Sequence, residues 1–209
     1  MGQPGPGRQQ RIAALQSAAQ RDLEQIRRIL EDITGFNSLW SGNVTVEPLS
    51  VDYLGVKQWS CDIGIREDVL QHREQRWTTM IHESLHPVSN GLQRDSYSAN
   101  QGWEEGIVEQ AQRILRNRIF DRLNISARTS QLRDIDRRNL YNDFVSELET
   151  LRTRLGIESE RFYLELLSAP LAERSQFVKT IGDNRWVGDA LDEWHQVFEQ
   201  SDKVLRRVL

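Results

Sequence analysis

The chain has 209 residues, which is enough for one large domain or for a compact domain with an appended region. Its hydrophobic fraction of 38%, charged fraction of 28% and net charge of −4 describe a foldable chain with no general attraction to nucleic acid or to a membrane surface. The single cysteine, Cys61, excludes an internal disulfide, and no apolar run is long enough to cross a membrane. Because no signal peptide is recognisable, we expect a soluble, cytoplasmic protein.

The first predicted elements are a tail, a helix and a small sheet. Residues 1–8 are polar and rich in glycine and proline, which predicts a disordered tail. Apolar residues recur every three or four positions over residues 11–33, which predicts an amphipathic helix. Short β-branched or alternating runs at residues 44–46 and 56–65 predict two or three strands of a small antiparallel sheet.

Helical periodicity returns after the sheet. It predicts a helix from about residue 67 or 71 to His86, where Pro87 disfavours helical backbone in the residue before it. A polar loop is then expected at residues 93–101, and a helix over about residues 100–120. The later patterns are all helical and predict helices at residues 140–155, 159–167, 171–181 and 187–208.

These patterns favour an α+β fold. We expect a core at residues 9–125, with a small sheet, and a helical C-terminal region at residues 126–209 that packs on this core. The near-heptad stripe of the C-terminal region is typical of core packing, although its helices could also bind a protein partner.

The strongest chemical signal is the pattern H-E-x-x-H at residues 82–86, on the helix that ends before Pro87. Residues four apart lie on one face of a helix, so His82 and His86 can hold one Zn²⁺ ion, with Glu83 beside the metal. The less specific interpretation is a polar helix face with two histidines and no metal. A catalytic zinc needs a third protein ligand and an open position for water, and a later helix offers several glutamates.

This arrangement resembles the gluzincin branch of zinc metallopeptidases, in which a glutamate of a following helix, often followed by glycine, is the third ligand. The sequence E-E-G at residues 104–106 occupies that place, and 18 residues separate His86 from Glu105, as is typical of the branch. The resemblance therefore implies Glu105 as the ligand, with Glu104 as its rival. It also implies that Glu109, one turn later, hydrogen-bonds the first histidine and fixes its tautomer.

The resemblance covers roughly residues 40–117 and is similar in scale and element order to the minigluzincins, which implies a zincin-like fold. In such a site Glu83 would act as the general base. Stabilisation of the oxyanion needs a further donor. We take Tyr97 as the first candidate, and the alternatives are Tyr141, Tyr163 and His195.

We therefore predict a zinc metallopeptidase that acts on a peptide or protein substrate, with endopeptidase activity favoured. An edge strand within residues 56–65 could pair with an extended peptide. One alternative is a zinc-binding, zincin-like scaffold that serves as a structural or interaction module without proteolysis. A helical binding protein that needs no zinc is the third possibility.

Overall fold

The computed structural model describes residues 6–208. Within them the fold is α+β, as predicted, with many helices and one sheet of three short strands. The strands are β1 (Val44–Glu47), β2 (Gly55–Lys57) and β3 (Ile63–Arg66). The helices are α1 (Pro6–Thr34), α2 (Arg73–Leu85), α3 (Arg94–Ala99), α4 (Gln101–Arg122), α5 (Thr129–Arg138), α6 (Asn142–Leu155), α7 (Ser159–Ser168), α8 (Arg174–Arg185) and α9 (Asp189–Leu205).

Helix α1 is longer than the sequence predicted. Residues 1–5 of the expected tail lie outside the described residues, whereas residues 6–8 already belong to α1. Proline is tolerated in the first turn of a helix, because the N–H group that it lacks would have no partner within the helix. At the other end, Gly35 adopts a left-handed backbone with φ of 73° directly after the last helical residue.

The sheet is mixed, and the prediction of an antiparallel sheet was wrong for one of its two pairings. Strand β2 pairs with β3 in the antiparallel sense, but β1 pairs with the other edge of β3 in the parallel sense. The β2–β3 hairpin reverses the chain, and the loop between β1 and β2 reverses it once more, so β1 and β3 run in the same direction. Strand composition reveals the hairpin but not the edge that β1 joins.

The described chain forms two compact units. The first comprises the described residues up to Val88 together with Arg116–Arg133. Here α1 packs against α2 and β1 through a buried stripe, and α2 also packs against β2 and β3. The stripe consists of Ala19, Leu23, Ile26 and Leu30, all fully buried. Their spacing of three and four residues is the helical periodicity that predicted α1.

Helix α2 ends where Pro87 predicted. Its last residue is Leu85, and His86–Val88 continue as one turn of 3₁₀ helix. His86 keeps helical backbone angles, with φ of −56° and ψ of −46°, although a proline follows it. His86 therefore stays in helical register with His82.

The second unit comprises Ser89–Leu115 and the described residues from Asp134 onward. In it α6, α8 and α9 pack on one another. The sequence predicted that this helix ends at residue 181, before Gly182, but α8 continues to Arg185. A Cβ atom at Gly182 would lie 2.0 Å from Cε2 of Trp194 on α9, so this glycine permits close helix packing and does not end the helix.

Helix α3 lies where a polar loop was expected. Gln93 and Ser96 form a reciprocal capping box at its start, and none of its residues is buried. Without a buried face there is no apolar periodicity to reveal a helix. The expected boundary after residue 125 stays a prediction. Among the described residues, no helix combines the length and the apolar character needed to cross a bilayer.

Candidate metal centre

The end of α2 and the 3₁₀ turn that follows it carry the H-E-x-x-H residues, and all three polar side chains are buried. His82 is 7% exposed, Glu83 6% and His86 5%. The two imidazole centroids lie 5.1 Å apart with their planes at 77°. The rings therefore share one helix face, as the spacing predicted, and are close enough to direct a nitrogen toward a common point.

Glu83 lies against strand β2 at Gly55. A Cβ atom added to Gly55 would be 2.7 Å from Cγ2 of Thr79, 2.8 Å from Cγ of Glu83 and 2.9 Å from its Oε1 atom. Only glycine lets the strand approach the helix this closely. This contact was not predicted, because a single glycine in a sequence does not reveal what its backbone touches.

On α4, Glu105 is 3% exposed and accepts a hydrogen bond of 2.5 Å from the hydroxyl of Tyr97 on α3. The same hydroxyl accepts a weaker bond of 3.3 Å from Nε2 of Gln101. The pKa of Tyr97 is raised far above its ordinary value, mainly by burial and secondly by the charge of Glu105. The phenol therefore keeps its proton at neutral pH and remains a donor.

His82, His86 and Glu105 form a cluster that could hold a metal ion. One ligand atom from each residue lies within 4.8 Å of the other two. Two ligands of a single tetrahedral zinc are roughly 3.4 Å apart, given bonds of about 2.0–2.2 Å. The limit of 4.8 Å on the separations of the three atoms is compatible with one shared ion. Two imidazoles and one carboxylate are the ligand set of a catalytic zinc, which keeps its fourth position open.

Glu104, the rival ligand, has other partners. Its side chain is fully buried, and its Oε2 atom accepts hydrogen bonds from Nη1 of Arg174 at 2.5 Å and from the hydroxyl of Ser89 at 2.8 Å. An ion pair that is shielded from water is hard to break, because either partner alone would be a buried charge. This engagement favours Glu105 over Glu104 as the ligand.

Glu109 is also buried, at 3% exposure, and lies one helical turn after Glu105. It accepts a hydrogen bond of 2.8 Å from Nε of Arg113, whose Nη2 atom donates to Asn142 at 2.8 Å. Its proposed hydrogen bond to the first histidine stays a prediction.

The other candidates for the oxyanion donor have contacts of different kinds. Tyr163 donates to Glu149 at 2.8 Å, and Nε2 of His195 lies 2.9 Å from an oxygen of Asp183. Tyr141 stacks on a phenylalanine of α6, with ring centroids 6.4 Å apart. Of the four candidates, Tyr97 is the one with a described hydrogen bond to a member of the metal cluster.

Comparison with known proteins finds no matching family model, no matching curated protein and no matching solved structure. The likeness to the gluzincins therefore rests on the residues of the two motifs and on their spacing.

Proposed function

We propose that the protein is a zinc-dependent peptidase of the gluzincin type with a zincin-like core, and that it cleaves extended peptides internally. The observation that carries the proposal is the cluster of ligand atoms from His82, His86 and Glu105 within 4.8 Å of one another. Glu83 directly follows the first of these ligands in the chain, where a general base is needed.

The chemistry divides between the metal and the protein. When bound, zinc lowers the pKa of a water molecule and polarises the carbonyl group of the scissile peptide bond. Glu83 accepts a proton from that water and passes it to the leaving amine. Its burial at 6% exposure keeps bulk water away from the carboxylate.

Tyr97 is the proposed donor to the oxyanion that forms on the substrate. Its raised pKa leaves the hydroxyl protonated at the pH where the peptidase would work. Before substrate binds, the same hydroxyl donates to Glu105 and orients the carboxylate that would bind the metal. Because a phenol has a single proton to donate, the hydroxyl would have to turn from Glu105 to the oxyanion as that charge forms.

Strand β2 is the proposed docking edge for the substrate. It lies at one edge of the described sheet, and Val56 pairs with Gly64 of β3. In the same ladder the backbone N–H of Gln58 donates to the backbone carbonyl of Asp62. The alternate residues Gly55 and Lys57 therefore direct their backbone N–H and C=O groups away from β3. An extended peptide that added a strand there would pass beside Glu83, which touches Gly55. A peptide bound along its backbone needs no free terminus, which favours endopeptidase activity.

Metal analysis and a peptide library test the proposal. The purified protein should bind about one zinc per chain and cleave peptides, and a chelator should abolish cleavage until zinc is restored. Glu83→Gln should retain zinc but lose cleavage. A protein that binds no zinc when zinc is supplied would refute the proposal. One that binds zinc tightly and cleaves nothing would instead be the zinc-binding scaffold.

The identity of the third ligand is tested with two variants of matched shape. Glu105→Gln should weaken zinc binding much more than Glu104→Gln, because only the first removes a carboxylate from the metal. The reverse order of affinities would assign the ligand to Glu104.

A further inference from the structure

Arg174, the first residue of α8, is an arginine with no exposed surface. It lies in the second unit, and it has no part in the chemistry proposed for zinc, Glu83 and Tyr97. A buried guanidinium is costly unless its donors are used. Here Nη1 donates to Glu104 at 2.5 Å, Nη2 donates to the hydroxyl of Ser89 and lies 3.5 Å from the carbonyl of Asn90, and Nε donates to the carbonyl of Ala169 at 3.1 Å.

The partners of Arg174 belong to two chain segments that carry proposed ligands. Glu104 directly precedes Glu105, and Ser89 follows His86 by three residues. The hydroxyl of Ser89 also donates to Glu104 at 2.8 Å, so the three polar groups form a closed triangle. One side chain from α8 therefore holds the start of α4 and the chain just beyond the H-E-x-x-H motif.

The segment that presents Arg174 is itself fixed. The backbone N–H of Asn90 donates to the carbonyl of Leu167 at 3.0 Å, and the N–H of Leu171 donates back to Asn90 at 3.0 Å. The side-chain amide of Asn90 donates to Ser168 at 2.8 Å. Movement of the chain that leads into α8 would therefore disturb Asn90 and, through Arg174, Ser89 and Glu104.

We propose that Arg174 is a positioning residue for the metal centre. It binds Glu104, which prevents that carboxylate from competing for the metal, and it fixes the first turn of α4 so that Glu105 presents its oxygen to the two histidines. This inference rests on the proposed function, because it concerns the same zinc ligands. A buried ion pair often adds little net stability compared with apolar residues of similar volume, so its geometric effect is the quantity to measure.

The test compares Arg174→Met with Arg161→Met. Arg161 forms an exposed ion pair on α7, in the same unit, and its loss should change nothing. The zinc dissociation constant is measured by competition with a chromophoric chelator, and the visible absorption of bound Co²⁺ reports the ligand geometry. Arg174→Met should weaken zinc binding about tenfold or more and should change the Co²⁺ spectrum.

Arg174→Lys should recover part of the affinity, since an ammonium group can still bind Glu104 but cannot reproduce the planar fork of donors. Ser89→Ala, which keeps the ion pair and removes the bridging hydroxyl, is the second variant if Arg174→Met does not fold. It should weaken zinc binding several-fold. Hydrogen exchange without metal at the backbone amides of residues 104–107 should be faster in Arg174→Met or Ser89→Ala than in Arg161→Met.

Folded Arg174→Met with wild-type zinc affinity and a wild-type Co²⁺ spectrum would overturn this inference and leave the proposed function intact. If only Ser89→Ala folds, unchanged affinity in that variant has the same meaning. A wild-type protein that binds no zinc would overturn the proposed function first, and the role of Arg174 with it.

Discussion

Gly55→Ala is a small change that should separate the proposed metal binding from the proposed proton transfer. The new methyl group would lie 2.8 Å from Cγ and 2.9 Å from Oε1 of Glu83, and 2.7 Å from Cγ2 of Thr79. All three distances are far below ordinary van der Waals contact, so something must move. Thr79 is β-branched and therefore stiff about χ1, whereas Glu83 has three rotatable bonds. We expect most of the movement to occur at the Glu83 carboxylate.

The size of the effect follows from this geometry. Insertion of one methyl group into a packed site costs about 1–3 kcal/mol of folding stability. A general base displaced by about 1 Å can lower the rate on the order of a hundredfold, which corresponds to about 2.7 kcal/mol in the activation free energy. The three atoms nearest the new methyl group belong to Thr79 and Glu83, and not to either histidine. Zinc affinity should therefore stay within a few-fold of wild type.

The assay measures kcat for a cleaved library peptide, zinc affinity and urea unfolding in the same preparation. Gly64→Ala, on strand β3, is a matched control. Its methyl group would lie 2.8 Å from Oε1 of Glu47 and 3.1 Å from Oγ1 of Thr45, both on β1. It imposes similar crowding away from Glu83, so it should lower stability and leave kcat nearly unchanged. The reasoning is refuted if Gly55→Ala keeps wild-type kcat, or if both variants lose activity equally.

Two further predictions concern the second unit and need no metal. Burial, and then the charge of Glu149, raise the pKa of Tyr163, so the stability this phenol contributes is complete below pH ~10 and is lost as the pH rises above it. Urea titration should therefore show that the free energy of unfolding falls more between about pH 9 and pH 11 in wild-type protein than in Tyr163→Phe. Equal losses in the two proteins would show that Tyr163 is not the group responsible. Gly182→Ala would place a methyl group 2.0 Å from Trp194 and should destabilise the protein by about 3 kcal/mol or more, whereas Gly7→Ala, with nothing within 4 Å, should not; a stable Gly182→Ala variant would contradict the packing of α8 on α9.

The part of the candidate metal centre that depends on local geometry was predictable from the sequence. Helical spacing was enough to put His82 and His86 on one face, and Pro87 was enough to end the helix there, because both effects depend only on backbone within one turn. The pairing of both histidines with Glu105 came from the resemblance to a family, and their ligand atoms lie within 4.8 Å of one another. Periodicity alone would have offered Glu104 equally.

The contacts that single residues make over long sequence distances were not predictable. Gly55 and Gly182 have the same residue type, yet the first lies on a strand against Glu83 and the second lies inside α8 against Trp194. The sequence gives no reason to distinguish Arg174 from the many other arginines, which are expected at the surface. In the structure it is fully buried. In each case the decisive fact is the identity of a partner far along the chain, which neither composition nor spacing contains.

The packing of the C-terminal helices on the expected core stays a prediction. Within the second unit these helices determine the surroundings of Glu105. Two glycines of α4, Gly102 and Gly106, flank it within one turn on either side, and each touches Phe144 of α6. Gly102 also lies against the carbonyl of Leu205 on α9, at 2.6 Å from a would-be Cβ atom.

Between these glycines the helix is also held by polar contacts. Trp103 donates from Nε1 to Asp202 of α9 at 2.9 Å, and Glu104 is bound by Arg174 of α8. Residues on both sides of Glu105 are thus fixed by helices that begin after residue 140. A carboxylate that must reach a metal to within a few tenths of an ångström needs such support. The later helices are therefore part of the proposed metal centre, and the small-sheet core alone would lack the elements that hold its third ligand.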